Sequence, residues 1–436
     1  MRIRIKTREF TLNLMEYLFV ILLILECNSI WSAIGSGNLS KIVKVVLIFV
    51  LLFYILADRR ISAGKINSIG LAIVIAAAYC LIYAVIVRYN ILNFCFMAIC
   101  AAAIYIFVLF AVERNRGAQL LIKYKDLIVI IAVISLFFWL FGSQLGLISS
   151  TGHVNSTWGV TSGSKKVSSY YGVYFEAQSI SSFLGLIGKK TWRNTAIFTE
   201  APMCNFHMCL ALIIELFYCK KTSKVKCVIL VLTVLSTLST TGYCLLIIAF
   251  AAKYIFSKGI NKFSNVLKAI VIPCVLIVGV VLFQKLILDK LSTSSGESRS
   301  RDFLTGFQAW LEKPLFGYGY GVSTYYNSVH YGYSNSITPV LGYGGIFMAI
   351  PYLYCMIKWV YRCVKERDMQ KFLFFVSFIF LFIITCVPFK LLTIFVLFAS
   401  AIPRESALEE SGAAVKRESG IRTEMTKRTF AGKYSG

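Results

Sequence analysis

The chain has 436 residues, of which 58% are hydrophobic and only 15% charged, with a formal net charge of +25. So large an apolar share, laid out in continuous blocks, excludes a soluble globular fold and requires lipid as solvent, where only helices and closed barrels satisfy the backbone. The net charge does not point to nucleic acid, because most Lys and Arg lie between apolar blocks in the alternation that the positive-inside rule produces.

The start, Met1 to Glu9, is basic and leads into an apolar run flanked by Glu16 and Glu26 without a small-residue cleavage site, so it reads as an uncleaved first span. A crossing helix needs about 20 apolar residues, fewer where the bilayer thins. That rule predicts spans over 10–27, 42–57, 68–87, 91–112, 127–147, 202–219, 227–240, 243–257, 266–284, 337–357, 371–388 and 390–403. The expected fold is an all-α integral membrane protein of about twelve transmembrane helices. Residues 227–257 would be one long helix but for the charges. Lys220, Lys221, Lys224 and Lys226 precede the region while Lys253, Lys258 and Lys262 follow it, so both flanks belong on the cytoplasmic side and the chain crosses twice. Lys41, Lys44, Arg88 and Lys390 are the basic residues that this parity leaves in short outer connections.

The resulting organisation is a helical block 1–147, a large extracytoplasmic loop 148–201, helices over 202–284, a second large outer loop 285–336, helices over 337–403, and a polar, basic tail 404–436 read as a disordered cytoplasmic extension. Both termini are expected in the cytoplasm, and the location expected is the cytoplasmic (inner) membrane of a bacterium. Loops longer than ~12–15 residues are usually functional or disordered, and Tyr170, Tyr171, Tyr174, Phe175 and Trp192 argue against disorder. The 13 Cys are mostly inside apolar runs and absent from both loops, so they read as small buried hydrophobes rather than disulfides or metal ligands.

The second loop is the richer one. Arg299-Ser300-Arg301-Asp302 precedes a helical pattern in which Asp302 can cap and Phe303, Phe307, Trp310 and Leu311 share one side, as in a helix lying in the membrane interface. Pro314 ends it, and Gly317, Gly319 and Gly321 permit tight turns or close backbone approach. No strand precedes these glycines and no Lys follows them, so they are no nucleotide fingerprint. In the first loop, Glu200 stands before Pro202 at the mouth of an apolar span, readable as a functional carboxylate or as a plain helix cap. His207 lies inside that span, where an ionisable group is a functional candidate or a neutral His bonded to a neighbouring helix. His330 is a loop histidine or a base, and His153 has no supporting context.

Taken together, Arg301, Ala309-Trp310, Lys313-Pro314-Leu315-Phe316-Gly317-Tyr318-Gly319 and Ser334-Asn335 followed by Gly342 to Gly345 resemble the signature region of the O-antigen polymerase and O-antigen ligase superfamily. Arg193, Phe198, Glu200 and Pro202 resemble that family's Arg and Phe-x-Glu-Pro motif, and Ser239-Thr240-Thr241-Gly242 sits where the family has a Ser/Thr-rich segment. Ala196 stands where the family commonly has Gly, Ala201 separates Glu200 from Pro202, and Ser334-Asn335 replaces the His-Asn pair of ligases.

The resemblance implies glycosyl transfer from a polyprenyl diphosphate carrier, with joining of oligosaccharide repeat units into O-antigen, capsule or exopolysaccharide. The alternatives are a ligase passing the finished glycan to an acceptor, and a flippase or exporter that moves the lipid-linked sugar without chemistry. On this reading Arg193, Arg299, Arg301 and Asn335 bind substrate, with the guanidinium groups meeting diphosphate charge. Glu200 and His330 are the candidates for removing the acceptor proton. Pro202, Pro314, Gly317, Gly319 and Gly321 support the site. The implied partners are the lipid-linked oligosaccharide, membrane lipid, and chain-length regulator and flippase proteins. No cofactor, metal or nucleic acid is implied.

Overall fold

A computed structural model describes residues 2–34, 38–57, 63–159, 163–181, 191–256, 294–322, 324–325, 328–329 and 334–404. The span expected over 266–284, the tail and His330 lie outside the described residues. The rest is a helical bundle: α1 (Arg2–Glu26), α2 (Asn38–Leu56), α3 (Ala63–Ile86), α4 (Ile91–Glu113), α5 (Gly117–Phe138), α6 (Ala201–Phe217), α7 (Lys224–Ser236), α8 (Thr240–Ile255), α9 (Ser294–Glu312), α10 (Ile337–Glu366), α11 (Met369–Ile384) and α12 (Leu391–Phe398). Five helical stretches, Leu39–Leu56, Ile66–Ile86, Ile91–Glu113, Gly117–Gln144 and Ile337–Glu366, are long and apolar enough to cross a membrane. Four shorter apolar helices accompany them. Aliphatic side chains such as Leu71, Val74, Leu81 and Leu92 face outward from the bundle, which is stable only against lipid. The chain is a multi-pass membrane protein.

The core sits around α6, nearly every residue of which is buried. It packs against α5, α7, α8 and α11. Helix α5 begins well before the expected 127, because its polar first turns are paired rather than solvated. Lys123 and Arg116 both bind the buried Glu16 carboxylate of α1, Arg116 at 2.5 Å, and Tyr54 adds its hydroxyl at 3.2 Å. Lys125 reaches Glu215 at 2.7 Å. Buried ionised groups are tolerable only when so paired. Helices α7 and α8 are separate, turning at Leu238 with φ +48°. The end of α8 returns toward the start of α7, since Lys253 bonds the Leu216 carbonyl and lies within electrostatic reach of Cys227. Lys224, Lys226 and Lys253 therefore stand at one end of the bundle.

The opposite end carries a small antiparallel sheet that the helical reading did not anticipate. Its strands are β1 (Gly152–Ser156), β2 (Lys165–Tyr170) and β3 (Tyr174–Glu176), ordered β1-β2-β3, with Val154 opposite Val167 and Ser169 opposite Phe175. Two further strands, β4 (Ser179–Ile180) and β5 (Thr191–Trp192), pair beside it, and a short ribbon of β6 (Thr324–Tyr325) and β7 (Ser328–Val329) lies in the second loop. Strands of two to six residues are too short for alternation to declare itself. Between α5 and the sheet the helix widens into a π segment over Trp139–Gln144.

Candidate functional site

Arg193 is held from both sides. The carbonyl just before it, on Trp192, accepts from Trp139 Nε1 at 2.9 Å and Gln144 Nε2 at 2.7 Å, both presented by the π segment. Its own amide donates to the Gln178 carbonyl at 3.1 Å, and its Nε donates to the Thr237 carbonyl at the α7–α8 turn, 2.8 Å away. The guanidinium also lies within electrostatic reach of Cys204 and Tyr243. Asn194 bolts the same segment down by donating to the hydroxyls of Ser236 at 2.9 Å and Ser135 at 3.2 Å. Two residues on, Ala196 is buried with φ +48°. That left-handed conformation is one that favours glycine. Nearby in the sheet, Tyr170 donates to Glu176 at 2.8 Å, and burial with that carboxylate pushes its hydroxyl up to about 12, so it stays a donor.

Glu200 is the N-cap residue of α6 by backbone position, yet its side chain makes no capping bond. Gln178 does that work: its Oε1 accepts from the Ala201 amide at 3.0 Å. Pro202, in the first turn, needs no amide partner. The segment before it is locked to the end of α1, where the Ile30 amide donates to Ile197 and the Thr199 amide to Asn28.

The turn between α11 and α12 is the meeting point. Its Cys386 lies within electrostatic reach of Glu200 from the first loop, Asp302 from the second, and Lys390 at the start of α12. Ser336, at the head of α10, accepts from the Val387 amide at 3.0 Å and donates to the Thr385 carbonyl at 2.5 Å, pinning the turn in place. Lys390 is half-buried and its Nζ lies 3.4 Å from the Glu26 carbonyl, while the Glu26 carboxylate accepts from the Leu391 amide at 2.9 Å. Lys44 stands 3.9 Å from the other oxygen of Glu26. None of Glu26, Cys386 and Lys390 was assigned a role from sequence. The available signal was charge placement, because Lys44 and Lys390 break the positive-inside alternation.

Helix α9 starts at Ser294 rather than at Asp302, so Asp302 is interior to the helix and is not its cap. The polar residues 294–302 have no apolar period to announce a helix. Gly306 and Ala309 bury against α10, with Thr338 directly over Gly306. Phe303, Phe307 and Leu311 remain exposed, as an interfacial helix requires, and Arg301 is exposed beside Asp302. Arg299 belongs to the same helix by its backbone. Asn335 is committed to capping: its Oδ1 accepts from the amides of Ile337 at 3.0 Å and Thr338 at 2.9 Å.

The glycines form a clasp. Helix α10 is broken at Gly345, φ +57° and ψ −148°, a conformation open essentially to glycine alone. The segment Pro314–Gly319 lies against the break: Tyr318 and Gly319 donate to the Gly342 and Tyr343 carbonyls, and Ile346 and Phe347 donate to the Pro314 and Leu315 carbonyls, all at 2.8–2.9 Å. Each strand of backbone satisfies the groups the other leaves open. Gly317 touches Tyr343 and Gly344, Gly319 touches Tyr89, and Gly321 approaches Asn90. The Asn90 amide donates to the Tyr320 carbonyl at 3.0 Å, and the Tyr320 amide donates to the Tyr83 hydroxyl at 2.7 Å.

Two histidines stand apart. His207 is fully buried, with Nε2 3.1 Å from the Cys27 carbonyl and Nδ1 2.8 Å from the Tyr124 hydroxyl, and stacks on Phe198. A carbonyl only accepts, so Nε2 carries the proton and Nδ1 receives the phenol's; this is the neutral, helix-bridging histidine. His153 is exposed on β1. Thus Glu200, Asp302 and Lys390 lie within electrostatic reach of Cys386, Arg193 anchors a neighbouring corner, and Asn335 and the glycines build the frame. Comparison of the chain with protein-family models, curated proteins and solved structures finds no match.

Proposed function

We propose that this protein polymerises polyprenyl-diphosphate-linked oligosaccharide repeat units into a bacterial surface polysaccharide at the outer face of the cytoplasmic membrane. In this reading the chain crosses about twelve times, its basic connections and both termini are cytoplasmic, and the sheet end faces out. The observation that carries the proposal is that a residue of each long loop, Glu200 at the end of the first and Asp302 beside Arg301 in the second, lies within electrostatic reach of Cys386 in the turn before α12. A lipid-linked donor needs an anion-binding group and a base at interface depth, with apolar surface below.

The chemistry suits the residue types. The acceptor hydroxyl attacks the anomeric carbon, forming the new C–O bond as the bond to the diphosphate oxygen breaks. Glu200 takes the hydroxyl proton. The electron pair leaves with the diphosphate, whose growing charge Arg193 and Arg301 stabilise.

The test is the glycan profile of a deletion strain complemented with wild-type or Glu200→Gln protein. Single repeat units in place of long chains, persisting with Glu200→Gln at normal protein level, is the expected result. Long chains retained on the polyprenyl carrier would instead identify a ligase, and an unchanged profile would remove the protein from polysaccharide assembly.

A further inference from the structure

Within the span Gly117–Gln144, α5 presents Ile130, Val133, Phe137 and Leu140 to the outside at the spacing of one helical face. That strip is the side of a membrane helix that meets lipid. It does not stop where the helix does. The chain turns back after the π segment, with the amides of Leu147 and Ile148 donating to the Phe141 carbonyl at 2.8 and 3.1 Å, and Leu145 and Leu147 stay exposed. Beside them lies the tip of the β2–β3 hairpin, where Tyr171 and Val173 are exposed as well. The Tyr171 amide donates to Thr151 Oγ1 at 2.8 Å, and its ring stands 6.0 Å from that of Phe138. The apolar surface of α5 thus continues onto a hairpin that is no part of a membrane helix.

Tyr171 departs from what its turn requires. The Val173 amide donates to the Tyr170 carbonyl at 3.0 Å, closing a turn whose two central residues, Tyr171 and Gly172, have φ of +52° and +71°. Asn, Asp or Gly takes the first of these positions readily, whereas a bulky aromatic is strained there. Burial does not offset the strain, because Tyr171 is 70% exposed. The base of the hairpin is firmly seated: Tyr170 lies 2.7 Å from where a Cβ on Gly142 would stand, and the Tyr174 and Ser143 hydroxyls are 3.1 Å apart. The π segment therefore fixes where the tip points. The far end of the hairpin is polar, with Lys165 and Lys166 opposite Ser156 and Asn155. A ring flanked by Leu145, Leu147 and Val173, continuous with a lipid-facing strip and with its charges at the far end, fits the boundary between headgroups and acyl chains. We infer that the β2–β3 tip, with Leu145 and Leu147, inserts into the surrounding lipid leaflet and anchors the sheet to the membrane. The inference does not depend on the proposed function. It ties the corner holding Arg193 to the leaflet, because Trp139 and Gln144, which bond the Trp192 carbonyl, belong to the same π segment.

The experiment places photoreactive p-benzoylphenylalanine, one position at a time, in the full chain reconstituted in phosphatidylethanolamine–phosphatidylglycerol nanodiscs, and reads adducts by mass spectrometry after irradiation. Phe137, on the lipid-facing strip, is the positive control, and Lys166, at the polar end of the hairpin, is the negative one. Phospholipid adducts at Tyr171 are expected at the Phe137 level and about tenfold above the Lys166 level, as for a side chain at the headgroup–acyl boundary. Leu147, 72% exposed, accepts the probe without loss of packing and is read in the same way should the Tyr171 variant fail to fold. Adducts no more frequent at Tyr171 and Leu147 than at Lys166 would overturn the inference. So would crosslinks between two copies of the chain in place of lipid adducts, which would make this face an interface between protomers.

Discussion

At the scale of single residues, the most consequential contrast is between Arg193 and Arg301. Arg193 is clamped through its amide and its Nε, so its replacement perturbs structure and chemistry together. Arg301 is exposed on α9. It is therefore the cleaner probe of anion stabilisation. A guanidinium binds two diphosphate oxygens at once where an ammonium offers a point charge, and loss of one such donor typically costs about 3 kcal/mol, or roughly a hundredfold in rate. Arg301→Lys should be nearly as damaging as Arg301→Ala in chain extension with a purified lipid-linked repeat unit, at unchanged expression. Full activity of the lysine variant would show that charge alone suffices. Glu16 makes the opposite kind of prediction. Removing it strands Arg116 and Lys123 without their shared counterion, and breaking such a buried pair costs about 3–5 kcal/mol. Glu16→Ala should lower thermal stability in detergent markedly, while Glu9→Ala, at the solvated start of the same helix, serves as the control that should not.

At the scale of elements, α10 and the Pro314–Gly319 strap are one structural unit. Gly345 has φ +57° and faces backbone atoms of Pro314 and Leu315, so an added Cβ meets atoms that no rotamer change can move. Strain of ~1–3 kcal/mol for the conformation adds to ~1–3 kcal/mol for overpacking. Gly345→Ala should release the strap, seen as faster proteolysis near Tyr318 and loss of polymer. Gly64→Ala, with nothing near its Cβ position, should be silent in both measurements. The sequence already showed that Pro314 ends a helix and that the glycines after it permit tight turns or close backbone approach. That Gly317 closes on Gly344, and that a broken helix is the reason, depends on two segments well separated in the chain and could not be read from either alone. The β1–β3 sheet escaped notice for a related reason: Val167 and Phe175 gain their inward direction from packing against Ile30 beyond α1, not from a repeating pattern.

At the scale of the whole molecule, the arrangement of charges makes the topology testable. The sheet end and the lysines Lys224, Lys226 and Lys253 of α7 and α8 stand at opposite ends of the bundle. Ser164, exposed beside β2, should accept an impermeant thiol reagent in intact spheroplasts once changed to Cys, while a Cys at Thr222 should react only after permeabilisation. The reverse pattern would invert the topology and place Glu200 away from the acceptor.

Sequence alone determined the solvent and most of the apolar helices, because hydropathy is carried residue by residue and a run of apolar side chains in lipid has to close its own hydrogen bonds as a helix. It also exposed Lys44 and Lys390 as charges out of place. What only the tertiary structure decided is who meets whom. Gln178, not Glu200, caps α6; Asn335 caps α10; His207 bridges Cys27 and Tyr124. The grouping of Glu200, Asp302 and Lys390 about Cys386 joins residues far apart in the chain. Such contacts arise from packing between helices, which depends on shape and on the pairing of buried charge, and neither is a property of a local stretch of sequence.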